Sequence, residues 1–320
     1  MSANKEAILL VGFNRPEFLE ARLNEISSFS CENLYVAIDG PRGNYQDEVA
    51  HELILKNLEI WKNKIKFVEI ISKNNIGLAL NITNAISSVL ENNQKVLIIE
   101  DDVSLKKPAF EAILRNEALD LSCVATVGGF GFMAKPKFFS QITKNGFRLT
   151  PFFCAWGWSI SREKWKNYTL DLSNLNIEKE FKYSEIWNSL TEKDKIIWEL
   201  RFKKIKSNPF YTWDTQMQFM TFKYDLYNVL PFYRLLDNVG FDDNRSTNTK
   251  DPKPNWYLGN LITYDKTNMQ LRKFGFLVDF WKILDRVTWI GTIKLELVRP
   301  IYLRMRFILA LKRILDSKII

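Results

Sequence analysis

Residues 95–103, KVLIIEDDV, run a strand-length apolar segment straight into three acids, Glu100, Asp101 and Asp102. Adjacent carboxylates repel one another, and carboxylates beside a core lose hydration, so the cluster calls for a compensating cation or a structural use of its charges. Carboxylate oxygens at a strand end suit a hard dication such as Mg2+ or Mn2+, which a diphosphate can share. The ion would then be the missing positive charge. Strand alternation puts Glu100 and Asp102 on one side and Asp101 on the other. The plainer alternative is that one acid caps the next element and the others are solvated.

Other strand ends carry compatible chemistry. Asp39-Gly40 closes LYVAID, where a carboxylate can accept the imide N–H of a pyrimidine and a glycine can admit the base. Arg15, after AILLVGF, is a cation suited to a nucleotide or to a surface ion pair. Asn74-Asn75-Ile76-Gly77 is a turn that precedes a helix start.

Elements that would hold these residues alternate regularly. AILLVGF reads as a buried strand, followed by Asn14 as N-cap and Pro16 just inside a helix, where its missing N–H costs nothing. Then come the strand LYVAID, a polar helix around 46–62, the strand IKFVEII, a helix around 78–91, VLIIEDD, a helix opened by Pro108, and the strand CVATVGG. Such alternation predicts an α/β fold, a mostly parallel sheet flanked by helices, with ligands outside the carboxyl ends of the strands. The expected layout is one domain over 1–250, divided into a nucleotide-binding half (1–128) and an acceptor half (129–250). A helical extension follows over 251–320.

Composition narrows the chemistry. The 320 residues are 46% hydrophobic and 26% charged, as in a folded globular chain. One histidine, His51, makes Ser-His-Asp, Cys-His and His-ligated zinc mechanisms improbable, leaving a carboxylate as the general base. Cys31, Cys123 and Cys154 form neither a disulfide framework nor a metal-ligand spacing. The aromatic content of 14%, with 10 Trp, fits carbohydrate or membrane-interface contact as well as an aromatic core.

The segments FNRP (13–16), AIDGPR (37–42), NNIGLALNITNAI (74–86), VLIIEDDV (96–103), AWGWSISREKW (155–165), TWDTQ (212–216) and DNVGF (237–241) occur in that order. Together they resemble a bacterial GT-A glycosyltransferase-like family, hemolysin-related or HlpA-like. More distantly, they are similar to the inverting GlcNAc transferases that start complex N-glycans. The resemblance spans about residues 7–250 and implies a GT-A, Rossmann-like fold. It also implies transfer of a sugar from a nucleotide-diphospho-sugar, UDP-linked by preference, to a hydroxyl of a glycan or lipid-linked glycan.

By position, the resemblance implies Asp39 and Gly40 at the base, assisted by Arg15, with Asn75 and Gly77 in the adjoining turn. It implies Asp102 as ligand of Mn2+ or Mg2+, and Glu100 and Asp101 near ribose, sugar or metal-bound water. Trp156, Gly157 and Trp158, with Trp213, would form the donor and acceptor wall. Asp214 would be the general base, since an inverting transfer needs a carboxylate to take the acceptor's proton. Thr212 and Thr215 beside it also suit a helix cap. The family's histidine in a Thr-His-Thr stretch is replaced here, in Ser246-Thr247-Asn248-Thr249, by Asn248, a poor metal ligand.

The net charge of +8 lies in the tail: from Lys253 onward 13 basic residues face 5 acidic ones, and the remainder balances at 32 against 32. Arg299, Arg306, Lys312 and Arg313 share one side of a projected helix and Leu303, Phe307, Leu311, Ile314 and Leu315 another, with Arg304 the exception. Such a helix either lies on an anionic membrane or packs on the domain with its charges solvated. No apolar run reaches the ~20 residues of a bilayer span. The expected place is the cytoplasm, at the inner face of the cytoplasmic membrane. Nucleic acid is not an expected partner, because the body is neutral and carries no recognised motif. The competing readings are a membrane-associated nucleotide-sugar or glycan-binding protein without turnover, and a sugar nucleotidyltransferase. The latter normally opens on a glycine-rich phosphate loop that GFNRPEF is not.

Overall fold

The computed structural model describes residues 6–29, 32–130, 146–231, 234–243, 245 and 270–271. Ser246–Thr249 and the basic helices expected in the tail lie outside these residues. Among the described residues no helix is long and apolar enough to cross a membrane.

The first half follows the predicted alternation: β1 (Glu6–Gly12), α1 (Pro16–Ile26), β2 (Asn33–Ile38), α2 (Tyr45–Lys62), β3 (Val68–Ile71), α3 (Leu78–Asn92) and β4 (Lys95–Glu100). Then come β5 (Val103–Leu105), α4 (Lys107–Leu114) and β6 (Val124–Gly128). The second half supplies β7 (Gly146–Thr150), β8 (Trp158–Ser161) and three short helices followed by a long one. Of these, α5 is Arg162–Trp165, α6 Ile177–Phe181, α7 Glu185–Ser189 and α8 Glu192–Ser207. Last are α9 (Asp214–Lys223), β9 (Tyr227–Pro231), β10 (Leu236–Asn238) and β11 (Gln270–Leu271).

Nine of these strands form one sheet, in the order β11-β7-β9-β6-β8-β4-β1-β2-β3. The β4-β1-β2-β3 side is wholly parallel, while β8 enters antiparallel between β4 and β6. This is a mostly parallel α/β sheet flanked by helices, as the alternation of elements predicts. β11 comes from beyond residue 251 and pairs with β7, so chain assigned by sequence to the extension contributes to the sheet edge.

The parallel strands are continuous apolar runs because helices cover both faces. Ile8, Leu10, Val36, Ile38, Leu97 and Ile99 pack on one side with Leu19, Leu23, Ile54 and Phe110. Ala7, Leu9, Val11, Val96 and Ile98 pack on the other with α3, Trp158 and Trp213. In register, Val11 lies opposite Glu100 and Gly12 opposite Ile38, so the carboxyl ends of β1, β2 and β4 are level. Whatever follows those three strands therefore meets along one edge.

One expectation of local structure changes. Asn14 does not cap α1; its Nδ2 donates instead to Asp47 Oδ1 (2.8 Å), and Arg15 occupies the N-cap without a side-chain cap bond. Gly157, just before β8, has φ +56°, and a Cβ there would lie 2.5 Å from Leu236 Cδ2. The left-handed backbone and the overpacking together should make Gly157→Ala cost about 1–3 kcal/mol, read as a lower urea midpoint with unchanged slope.

Candidate functional site

At the end of β4 the backbone turns: Asp101 N donates to Val11 O (2.9 Å), and Asp101–Asp102 form the bend between β4 and β5. The strand therefore stops at Glu100. Asp101 is buried on the α1 side, while Glu100 and Asp102 are both partly exposed; Arg15 reaches back from the start of α1 and bonds both Asp101 and Asp102 Oδ2, the latter at 3.1 Å. Its guanidinium also lies over the Phe18 ring, 5.3 Å from the centroid. Arg22 donates to the Asp101 carbonyl (3.3 Å) and is oriented by Glu25, which also accepts from Ser104 (2.7 Å). On the far side, Val239 N donates to Asp102 O (2.8 Å) and β10 pairs with β5, so the segment DNVGF holds the acidic turn in place.

One arginine does not neutralise three acids. Burial, then the charges of Asp102 and Asp101, push Glu100 up to about 8. Burial likewise pushes Asp101 up to about 7, against the pull of Arg15. Asp101 Oδ2 is buried and has no hydrogen-bond partner among the described residues. A buried carboxylate oxygen without a partner, beside acids that burial inclines to keep their protons, fits a hard dication that would take the protons' place. Among the described residues, however, no three ligating side chains converge on one point, so an ion here would draw its remaining ligands from a bound phosphate and water.

Asp39 is placed differently from the sequence expectation. Its Oδ1 accepts from Gly40 N and Ile76 N (both 2.9 Å), and its Oδ2 from Gly77 N (2.9 Å) and Asn75 Nδ2 (3.0 Å). Four donors from the chain thus occupy a carboxylate that has about four acceptor positions, and none is left for a pyrimidine imide. Gly40 has a similar structural use: a Cβ there would sit 2.4 Å from the Asn74 carbonyl carbon. The pair clamps the 74–77 turn, whose Gly77 takes φ +85° immediately before α3.

Asp214 starts α9. It accepts from Thr212 Oγ1 (2.5 Å) and Thr215 Oγ1 (3.4 Å), and Trp213 occupies the N-cap position without a side-chain cap bond. Its negative charge contributes to the upward shift of Glu100, so the aspartate and the acidic turn share one region. Two residues that the sequence reading missed lie in the same field. Tyr168, pushed up by burial and then by Asp214, donates to Trp213 O (3.1 Å). Arg201 is lowered by burial, with Asp214 opposing that shift. Neither carries a motif, and only folding brings them to the aspartate.

The tryptophans divide. Trp158 and Trp213 are buried and stacked on each other at 5.4 Å and 18°, with Phe153 edge-on to both. They support the site from beneath and cannot form its wall, which corrects that expectation. Half-buried Trp156 packs edge-on against Phe130 and Phe241. Gly157 O accepts from Gly129 N (2.7 Å).

Two further contacts brace the rim. Asp47 accepts from Arg42 (2.5 and 3.0 Å), Asn14 and Asn44, while Arg42 lies over Phe13 at 4.9 Å, tying the loop after β1 to α2. Arg245 bonds Glu17, Asp243 and the Asn14 carbonyl and covers Phe18 from 5.8 Å. Arg245 was not singled out from DDNRSTNT, which has no spacing signal.

No protein-family model and no curated protein sequence matches the chain. Among solved structures it is similar to the mannosyltransferase PcManGT from Pyrobaculum calidifontis, a complex with GDP-Man and Mn2+. That similarity has a TM-score of 0.35 and 14% identity, covering 50% of this chain and 45% of that one. It is also similar to a Desulfovibrio desulfuricans G20 protein assigned to the nucleotide-diphospho-sugar transferases, with a TM-score of 0.31 and 8% identity. There the match covers 50% of this chain and 65% of that one. The matched part is thus less than two thirds of either relative, and at these scores neither likeness carries weight.

Two outcomes follow from the clamps. Asp39→Asn replaces an acceptor by a donor facing N–H groups and should cost about 2–3 kcal/mol. Amide exchange at Ile76 and Gly77 should quicken, and unchanged exchange there would contradict the clamp. The hydrogen bonds from Arg42, then those from Asn14 and Asn44, hold Asp47 well below the usual carboxylate range, against burial. A lowered folded value means stability that is present above the unfolded value near 3.8 and is lost as pH falls below it. Asp47→Asn should therefore flatten the fall of the urea midpoint between about pH 5 and pH 2.5.

Proposed function

We propose that the chain is a glycosyltransferase that uses a nucleotide-diphospho-sugar, UDP-linked by preference, and transfers the sugar with inversion. The acceptor is a hydroxyl of a glycan or lipid-linked glycan in surface polysaccharide synthesis. The work would take place at the inner face of the cytoplasmic membrane, with the basic tail on anionic lipid. The observation that carries this reading is geometric: Asp214 directly follows Trp213, which stacks on Trp158 of β8, the strand paired with β4, whose end is the acidic turn. The ordered motifs from FNRP to DNVGF add to it.

In the proposed reaction the acceptor oxygen forms a bond to the anomeric carbon as the bond to the diphosphate oxygen breaks. The leaving diphosphate keeps the electron pair. Asp214 receives the acceptor's proton, and Thr212 and Thr215 hold its carboxylate in place. Arg15 supplies fixed positive charge beside the acidic turn, where a diphosphate would lie. Asp102, with Glu100 and Asp101 behind it, would hold Mn2+ or Mg2+, whose charge would ease departure of the diphosphate. With Asp39 occupied by the 74–77 turn, it serves the base site by fixing Asn75 and Gly77. Trp156 is left as the one tryptophan of its segment near the surface.

A thermal-shift panel of UDP-, GDP-, dTDP- and CMP-sugars, with and without Mn2+, tests the donor class. Stabilisation by one nucleotide series is expected, and none by any would remove the reading's support. Asp214→Asn should bind that donor normally yet transfer about 10²–10⁴-fold more slowly, and full transfer would exclude it as the base. Asp102→Ala should abolish the Mn2+-dependent part of donor stabilisation.

A further inference from the structure

The inward side of α8 is fixed. Thr191 and Asp194 form a reciprocal capping box at its start, and Trp198, Phe202 and Ile205 are buried against the aromatic cluster of Phe181, Phe219 and Phe222. The outward side has a different character. Ile196 and Leu200, one turn apart, are 55% and 60% exposed, and after the helix Phe210 and Tyr211 are 52% and 57% exposed. Lys193, Lys203 and Lys204 are exposed around them, and Lys204 Nζ stands 3.7 Å from the centroid of the Tyr211 ring, joining the aromatic turn to the last turn of the helix. Of the nearby acids, Glu192 is already bonded by Lys195 at 3.1 Å and Glu199 lies at the margin.

We propose that this face, the outer side of α8 with Phe210 and Tyr211, docks on an anionic lipid bilayer. Aliphatic side chains in the middle of a helix face, lysines around them and aromatics at one end suit the headgroup boundary, where the apolar groups enter and the lysines meet lipid phosphate. A sugar-binding platform would set its aromatics among amide and carboxylate partners, whereas here their neighbours are aliphatic or cationic. The face also belongs to the body of the protein, so it is distinct from the basic tail. Docking needs no transfer chemistry. Only its consequence rests on the proposed function: Tyr211 precedes Thr212 and Asp214, so the docked face would hold the proposed base close to the membrane plane, where a lipid-linked acceptor is presented.

The test places an environment-sensitive fluorophore on Leu200→Cys in full-length protein that carries Cys31→Ser and Cys123→Ser. Vesicles rich in phosphatidylglycerol should shift its emission to the blue, and phosphatidylcholine vesicles should not. Lys203→Glu with Lys204→Glu should weaken that response ~10-fold or more with unchanged melting temperature. A label that stays solvent-exposed while the protein floats with phosphatidylglycerol vesicles would overturn the proposal, placing membrane contact elsewhere. A shift that appears on concentrating the protein without vesicles would overturn it in favour of a second copy of the chain. Because nucleotide-sugar stabilisation is measured separately, failure of either reading leaves the other intact.

Discussion

Three carboxylates at the end of a buried parallel strand can be kept there only with a cation in reach, and Arg15 is that cation. Its position is set by β1, whose end is level with the end of β4, and by the start of α1, which aims the guanidinium back across the sheet edge at Asp101 and Asp102. The fork offsets part of the repulsion, while burial first, and then Asp102 and Asp101, push Glu100 up to about 8. A site whose buried acids hold their protons unless a cation replaces them, with a fixed arginine beside it, is suited to a ligand that brings its own cation and its own phosphates. The same balance makes the site demanding to fold, which accounts for the bracing from Arg22, Glu25, Ser104 and Val239 around a two-residue bend.

The division of work between the two halves follows from the sheet. The parallel half supplies the acidic turn, Arg15 and the Asp39 clamp from three neighbouring strand ends. β8, running antiparallel between β4 and β6, then connects that half to the rest. Through β8 the second half is anchored to β4 itself. Segments far apart in the chain, DNVGF and TWDTQ, can therefore close on the turn without long unsupported loops. DNVGF does so by pairing with β5, and TWDTQ by stacking Trp213 on Trp158.

Much of the parallel half was legible because buried strands in a two-faced sheet are unbroken apolar runs, and AILLV, LYVAI and KVLII could be little else. Their ends were legible too, since charged residues interrupt those runs at Asp39 and Glu100. The use of each end residue was not. Alternation could not show that Arg15 would bond both aspartates of the turn, because that contact is made by a residue from another strand end. Asp39 looked like a free acceptor, but its donors come from Ile76 and Gly77, distant in sequence and supplied by backbone N–H groups that no side-chain pattern announces. Tyr168, Arg201 and Arg245 were missed for the same reason: their partners are set by packing. β8 is only four residues long and lies within a tryptophan-rich segment that reads equally well as a ligand wall.

The tryptophans show what that ambiguity means physically. A Trp beside a glycine near a site can face a sugar or fill the core, and composition does not separate the two. Here Trp158 is drawn inward by its place in β8 between two neighbouring strands, and Trp213 must follow because it stacks on that ring. Asp214 comes next in the chain after a buried anchor, so its carboxylate is positioned by the core rather than by a loose loop. Thr212 and Tyr168 complete the restraint, one bonding the carboxylate and the other the Trp213 carbonyl. For the proton-accepting role proposed for Asp214, a fixed place matters more than an aromatic wall. In this fold the aromatic rings are used to provide that place.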